Sequence, residues 1–177
     1  MRRKEDLMDL KELVRNIPDF PKEGILFRDI TPLIGDADGY EALVHQMADT
    51  LREQDVDVII GPEARGFIFG APLAYALHAG FVPARKPGKL PYETIGYAYG
   101  LEYGTDELQI HADAIRPGQR VAIVDDLLAT GGTALACAKL AKKAGGVVAG
   151  MTFAIELTDL SGRETLKDYP VHTILKY

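Results

Sequence analysis

Two adjacent carboxylates and a short loop of glycine and threonine stand side by side in this chain. Asp125 and Asp126 follow the β-branched run at residues 121–124, and Thr130-Gly131-Gly132-Thr133 opens a helix-like stretch. Free N–H groups at a helix start bind anions, and the helix dipole favours negative charge there. Carboxylates disfavour a neighbouring phosphate but accept hydrogen bonds from hydroxyl groups, or bind a hydrated Mg²⁺. The pattern is therefore typical of a ribose 5-phosphate site.

Each half of this motif also has an ordinary structural explanation. Two aspartates after a strand can cap a helix, and Thr-Gly-Gly-Thr can be a simple turn. Their combination within residues 121–133 favours the sugar phosphate site. The chain contains no Gly-x-x-x-x-Gly-Lys-Ser/Thr motif, which disfavours hydrolysis of ATP or GTP.

Strand-like and helix-like segments alternate around the motif. The strands are predicted at residues 56–60, 81–85, 121–124, 147–155 and 171–175, and the helices at residues 7–14, 40–53, 66–78 and 131–143. Pro and Gly punctuate residues 21–35, which predicts a loop. The alternation predicts an α/β fold with a mainly parallel sheet, whose ligands bind at the carboxyl ends of the strands.

Composition limits the possible functions. The length of 177 residues predicts one domain, and a net charge of −6 disfavours binding to nucleic acid. Cys137 is the single cysteine, and no apolar run approaches the about 18 residues of a membrane span, so we expect a cytoplasmic protein without a membrane anchor. The four histidines are widely separated, which disfavours a zinc site.

Residues 121–133 are similar to the phosphoribosyl diphosphate signature of type I phosphoribosyltransferases. Their Leu-Leu-Ala-Thr-Gly-Gly-Thr ending resembles the adenine branch of that family. Further stretches match in the same order, at residues 20–21, 24–30, 63–67, 85–91, 101–104, 156–157 and 162–164. The resemblance implies the type I phosphoribosyltransferase fold as a single domain over residues 1–177. In that fold a mainly parallel twisted sheet is flanked by helices, and a small N-terminal hood, about residues 1–35, covers the base site.

The resemblance also implies a set of residues that bind the phosphoribosyl and diphosphate groups. They are Arg65, Arg85, Lys86, Lys89, Asp125, Asp126, Ala129, Thr130, Gly131, Gly132 and Thr133. Residues 129–133 are expected to hold the 5-phosphate, the two aspartates the ribose hydroxyls, and the cations the leaving diphosphate. For residues 85–89, a solvated basic turn remains the alternative.

Glu102 is expected to be the general acid/base group beside the incoming purine, again by resemblance. The expected adenine-binding residues are Leu26, Phe27, Arg28 and Leu127. Residues 91–103 are rich in Gly and Tyr, which favours a lid that excludes water and equally a plain β-hairpin with surface tyrosines; the two are compatible.

Taken together, the resemblance implies transfer of a phosphoribosyl group from 5-phosphoribosyl diphosphate to adenine. We expect Mg²⁺ as a cofactor carried mainly by the substrate diphosphate, with no direct protein ligand assigned, and a homodimer as the assembly. Hypoxanthine or xanthine is the alternative base. A regulatory sensor that retains the fold to control transcription is the alternative class, although it requires a DNA-reading module and only a short stretch precedes Phe20.

Overall fold

The structure is a computed structural model that describes residues 9–100 and 105–177. Its contacts divide the chain into two compact units, Met1–Gln46 and Met47–Tyr177. The described elements of the first unit are a 3-10 turn at Leu10–Leu13, strands β1 (Arg15–Pro18) and β2 (Leu26–Asp29), helix α1 (Thr31–Gly35) and most of helix α2 (Ala37–Asp49).

Two predictions for this first unit are wrong. Residues 9–14 form a 3-10 turn and the start of an extended segment instead of an α-helix, and residues 21–35 contain β2 and α1 instead of one continuous loop. β1 and β2 pair antiparallel from Arg15 with Asp29 to Pro18 with Leu26. Both strands are only four residues long, which is too short for a periodic pattern to reveal them.

The second unit contains the remaining strands and helices. They are β3 (Val58–Pro62), α3 (Gly66–Ala76), β4 (Gly80–Ala84), β5 (Thr94–Gly100), β6 (Thr105–His111), β7 (Arg120–Leu128), α4 (Gly132–Lys143), β8 (Val147–Glu156), α5 (Gly162–Thr165) and β9 (Val171–Lys176). Five of these strands form an all-parallel sheet in the order β4-β3-β7-β8-β9. The predicted α/β fold with a parallel sheet is confirmed.

The sheet forms part of the core because its central strands are mainly apolar. Ile59, Ile60, Ile123 and Phe153 are completely or almost completely buried, as expected of parallel strands covered on both faces. Helix α4 buries the small side chains of Ala134, Ala136, Cys137, Ala138 and Ala141. Cys137 is fully buried in the core, and burial raises the pKa of its thiol.

The order of the strands creates a switch point between β3 and β7. The chain passes from β3 to β4 on one side, and then returns to place β7 on the other side of β3. In open parallel sheets, the connections leave in opposite directions at such a point and open a crevice at the carboxyl ends of the strands. The loops that follow β3 and β7 therefore face a common crevice.

Strand β7 is longer than the sequence predicts. It continues through Asp125 and Asp126 to Leu128, because β8 extends beside it and pairs Asp125 with Phe153 and Leu128 with Glu156. Ladder pairing overrides the low strand propensity of aspartate. The two acids consequently belong to the strand itself, and the loop begins only at Ala129.

Strands β5 and β6, called the β5–β6 hairpin below, pair antiparallel, with Thr94 opposite His111 and Gly100 opposite Thr105. Tyr97 and Tyr99 on β5 are half-buried against the core and are not surface tyrosines. Lys143 at the end of α4 donates to the Gly96 carbonyl oxygen over 3.1 Å, which ties the hairpin to the main sheet layer. None of the helices in the described part of the chain has the length and hydropathy of a bilayer-crossing segment.

An ion pair fastens α5 to the last two strands of the sheet. Arg163 Nε lies 2.7 Å from Glu156 Oε1, and Arg163 Nη2 lies 2.9 Å from Glu156 Oε2. The Thr173 hydroxyl donates to Glu156 Oε2 over 2.7 Å. The hydrogen bond from Arg163, above all, holds the pKa of Glu156 below its ordinary value of 4.5.

We expect Glu156→Gln to destabilise the protein by about 2 kcal/mol at neutral pH, because it removes a buried charge-assisted pair. Because the pKa of Glu156 is lower in the folded protein than in the unfolded one, its ionisation stabilises the fold. This stabilisation is complete above the unfolded-state pKa and is lost as the pH falls through the folded-state pKa. The stability gap between wild type and variant should therefore narrow below pH 4.5. Urea unfolding over a pH series measures this difference in unfolding free energy, with the exposed Glu164→Gln on α5 as control. A difference that does not change with pH would contradict the role of the Glu156 charge.

Candidate active site

The loop after β3 and the last part of β7 bring two predicted binding residues into contact at the switch point. Arg65, directly before α3, places its Nε 2.6 Å from Oδ2 of Asp126. The Arg65 side chain is 53% exposed, whereas that of Asp126 is 9% exposed. The cation is thus accessible from the crevice, and the carboxylate that holds it is part of the sheet.

Asp125 occupies a more restricted place. Its Oδ1 accepts from the backbone N–H of Asp126 over 2.9 Å, and it faces Gly66, where an added Cβ would lie 3.1 Å away. Burial, followed by the charge of Asp126, raises the pKa of Asp125 well above its ordinary value of 3.8. Asp125 therefore takes up a proton more readily than an exposed aspartate does.

Residues 129–133, the phosphate loop, close the crevice on the other side of the two acids. A cavity of about 180 Å³ is lined by Arg65, Asp125, Asp126, Leu127, Leu128, Ala129, Thr130, Gly131, Gly132, Thr133, Ala134 and Phe153. Gly131 has a φ of +84° and precedes the first turn of α4, whose leading N–H groups have no partner within the helix. The structure thus brings the predicted sugar phosphate residues together around one cavity, beside an anion-binding helix start.

We expect Gly131→Ala to destabilise the protein by about 1–3 kcal/mol, because a left-handed φ disfavours any side chain. A Cβ at this position would also lie 2.9 Å from the carbonyl oxygen of Gly162. Gly132→Ala is the matched control, since its Cβ would meet only Tyr99 Cδ2 at 3.6 Å. Thermal unfolding of both variants measures the difference, and equal midpoints would contradict the role of Gly131.

Arg85, Lys86 and Lys89 surround Glu63 and do not line this cavity. Arg85 Nη2 donates to Glu63 Oε2 over 3.2 Å, and the Lys86 backbone N–H donates to Glu63 Oε1 over 2.5 Å. Burial acts to raise the pKa of Glu63, but these hydrogen bonds and the nearby cations outweigh it and keep the pKa low. Residues 85–89, the basic segment, are therefore partly organised: Arg85 and Lys86 are half-buried, and Lys89 is exposed.

The hairpin β5–β6 reaches both of these regions. The carboxylate of Asp106 pairs with the Lys86 ammonium and accepts from the Tyr99 hydroxyl over 3.3 Å. The Tyr99 hydroxyl also hydrogen-bonds the Thr133 side chain. Glu63, Tyr99 and Asp106 were not predicted as site residues from the sequence, although all three lie within or near the stretches matched to the family.

The remaining predicted residues lie elsewhere. Glu102 falls outside the described residues, in the connection between β5 and β6. Leu26, Phe27 and Arg28 lie on β2 of the first unit, where the Phe27 ring meets the Phe20 ring edge-on at 5.1 Å and Arg28 hydrogen-bonds the Asn16 side chain. Leu127 belongs to the second unit and is half-buried at the cavity.

The donor set of the site suits a metal that arrives with its ligand. Over residues 9–100 and 105–177, no group of three or more His, Cys, Asp or Glu side chains has the arrangement of a metal site. Mg²⁺ typically binds through one or two carboxylates together with substrate phosphates and water. The adjacent Asp125 and Asp126 at the cavity fit this mode of binding.

Comparison with known proteins gives consistent results. The family model for the phosphoribosyl transferase domain matches residues 34–174. The adenine phosphoribosyltransferase of Clostridium botulinum is 62% identical over 96% of this chain and 99% of its own length. The crystal structure of adenine phosphoribosyltransferase from Thermoanaerobacter pseudethanolicus is 55% identical, with a TM-score of 0.92 over 95% of this chain and 98% of its own.

A second solved structure carries ligands. The Saccharomyces cerevisiae adenine phosphoribosyltransferase is complexed with an imino-altritol bisphosphate and adenine. It is 42% identical, with a TM-score of 0.88 over 93% of this chain and 95% of its own.

Proposed function

The chain belongs to the adenine phosphoribosyltransferases of the phosphoribosyl transferase family, and from this membership we propose how its residues perform the reaction of that family. The enzyme transfers the 5-phosphoribosyl group from 5-phospho-α-D-ribose 1-diphosphate to adenine, which gives AMP and diphosphate. It is a pentosyltransferase of purine salvage.

The observation that carries the residue assignments is the cavity at the switch point. It joins an anion-binding helix start to two carboxylates and one accessible arginine. In the proposal, the phosphate loop holds the 5-phosphate through its N–H groups and the hydroxyls of Thr130 and Thr133. Asp125 and Asp126 accept hydrogen bonds from the two ribose hydroxyls, which orients the anomeric carbon towards the open side of the crevice.

Transfer breaks the bond from the anomeric carbon to the diphosphate oxygen and forms a bond from the same carbon to a ring nitrogen of adenine. The sugar becomes oxocarbenium-like as the diphosphate departs with the electron pair. We assign Arg65 and the basic segment to the growing negative charge of the diphosphate. Glu102 receives the proton that the ring nitrogen loses, and residues 91–103 close over the site to exclude water.

Mg²⁺ belongs to the proposal as a companion of the substrate. Carried mainly by the diphosphate, it would neutralise part of the charge of that group, and Asp125 and Asp126 are the residues that would hold it. Their adjacency at the cavity supports this role.

The base site, domain organisation and assembly are also proposed. Leu26, Phe27 and Arg28 of an N-terminal hood, about residues 1–35 of a single domain, bind adenine together with Leu127. The 47% exposure of Leu26 supports a binding role, since it leaves an apolar side chain available. We propose a cytoplasmic location, which the single, buried Cys137 supports. We also propose a homodimer, which the exposed Tyr75 supports, and sedimentation analysis tests this assembly.

A spectrophotometric assay with adenine, hypoxanthine and guanine tests the base specificity. We expect turnover of adenine with phosphoribosyl diphosphate and competition by neither 6-oxopurine. The reason is that adenine presents an acceptor at N1 and donors at its amino group, the reverse of a 6-oxopurine. Turnover of hypoxanthine without adenine would sink the adenine assignment, and ligand binding without any turnover would favour a sensor.

A further inference from the structure

Asp106 lies near the start of β6, where it touches two segments with proposed substrate contacts. Its carboxylate pairs with the Lys86 ammonium of the basic segment and accepts from the Tyr99 hydroxyl. Tyr99 in turn hydrogen-bonds the Thr133 side chain of the phosphate loop. A single carboxylate therefore connects the basic segment to the phosphate loop through the hairpin.

We propose that Asp106 is a positioning residue for the transfer reaction. It holds the Lys86 ammonium and, through Tyr99, the Thr133 hydroxyl where the two phosphate ends of phosphoribosyl diphosphate arrive. The inference rests on the proposed function of Lys86 and Thr133 and adds a residue that contacts neither the sugar nor the base.

The protonation states favour this arrangement at neutral pH. The hydrogen bond from Lys86, above all, lowers the pKa of Asp106, so Asp106 is a carboxylate that accepts from both neighbours. Burial, above all, raises the pKa of Tyr99, so the phenol keeps its proton and donates it to Asp106. Thr133, Tyr99, Asp106 and Lys86 thus form a continuous chain of donors and acceptors.

Positioning matters because a lysine side chain has many rotamers and its ammonium is a mobile point charge. Lys86 and Asp106 have side-chain exposures of 43% and 24%, so water screens their pair only partly. A carboxylate so close to the basic segment would otherwise repel a diphosphate. Positioning of Lys86 by Asp106 would lower the KM for phosphoribosyl diphosphate, whereas repulsion by Asp106 would raise it. The sign of the change in KM therefore tests the proposal.

Asp106→Asn removes the charge but keeps an oxygen that accepts from Tyr99. We expect the KM for phosphoribosyl diphosphate to rise about tenfold, with the KM for adenine and kcat changed less than about twofold. Glu107→Gln is the matched control on the same strand, since Glu107 accepts from Gln109 and should leave all three values unchanged. An unchanged or lower KM in Asp106→Asn would show that the carboxylate only repels the substrate.

A double-mutant cycle with Lys86→Met separates positioning from general structural support. If Asp106 acts through Lys86, Asp106→Asn should change the KM less than about twofold in the Lys86→Met background. Effects that multiply independently would overturn the proposal. Thermal unfolding midpoints, measured for every variant, show whether a loss comes from the fold.

If Asp106→Asn does not fold, a variant of Tyr99 provides a second test of the same proposal. Tyr99→Phe should raise the KM for phosphoribosyl diphosphate about threefold, and this effect should disappear in a Thr133→Val background. Independent effects of Tyr99→Phe and Thr133→Val would overturn the connection to the phosphate loop. Wild-type turnover of adenine is measured in the same series: its absence would contradict the proposed function, whereas non-additivity tests only the role of Asp106.

Discussion

Replacing both Asp125 and Asp126 with asparagine should lower kcat/KM for phosphoribosyl diphosphate about 100-fold or more, mainly through KM. Each carboxylate offers charge-assisted hydrogen bonds to a ribose hydroxyl, and an amide offers weaker ones. The change also leaves Arg65 without its partner at 2.6 Å, so the cation loses its fixed position as well as its neutralising charge.

Steady-state kinetics at saturating adenine, together with calorimetric titration of phosphoribosyl diphosphate, measures this effect. Asp159→Asn with Asp168→Asn is the matched control, because both aspartates are exposed and the change in net charge is the same. We expect the control to retain wild-type constants. A double variant at residues 125 and 126 that binds normally would show that the two acids support the sheet and not the sugar.

Glu102→Gln should have the opposite signature. We expect kcat to fall about 100-fold to 1,000-fold with little change in the KM for phosphoribosyl diphosphate, since glutamine cannot take the proton from the purine. The supporting observation is the hairpin, whose Tyr99 hydrogen-bonds Thr133 just before the chain enters the connection that carries Glu102. Residues in this connection therefore follow directly from a strand fixed beside the phosphate loop.

The pH profile of kcat distinguishes a base from a residue that only binds. The ascending limb should be lost in Glu102→Gln, and binding of phosphoribosyl diphosphate, titrated by calorimetry, should be preserved. Glu93→Gln, an exposed carboxylate just before β5, serves as control. If the variants at residue 102 and at residues 125 and 126 produced equal and modest losses, the assigned roles would be wrong.

Sequence patterns predicted the parts of the fold that depend on local composition. Runs such as residues 121–124 are apolar and β-branched, so a buried parallel strand is their natural state, and Gly131-Gly132 correctly predicted the start of α4. The pairing of β1 with β2 and the extension of β7 to Leu128 were not predictable in this way. β1 and β2 are too short to show a periodic pattern, and the extension of β7 depends on hydrogen bonds to β8 on the far side of α4.

The candidate site shows the same division. Asp125, Asp126 and the phosphate loop are contiguous in sequence, so one motif predicted their shared cavity. Glu63 and Asp106 escaped notice because their partners, Arg85 and Lys86, lie some twenty residues away on other segments. An isolated carboxylate in a loop or strand gives no sign of such a partner, which only the folded arrangement of β4 and β6 brings close.

β7 is the middle strand of five, and this position affects how the site responds to local unfolding and to substitutions elsewhere in the sheet. Local fraying of a sheet begins at its margins, here β4 and β9, while the centre opens only with global unfolding. The two acids and the phosphate loop are thus attached to the strand whose amide protons should exchange most slowly. Destabilising substitutions in the outer strands should therefore disturb the cavity at the switch point last.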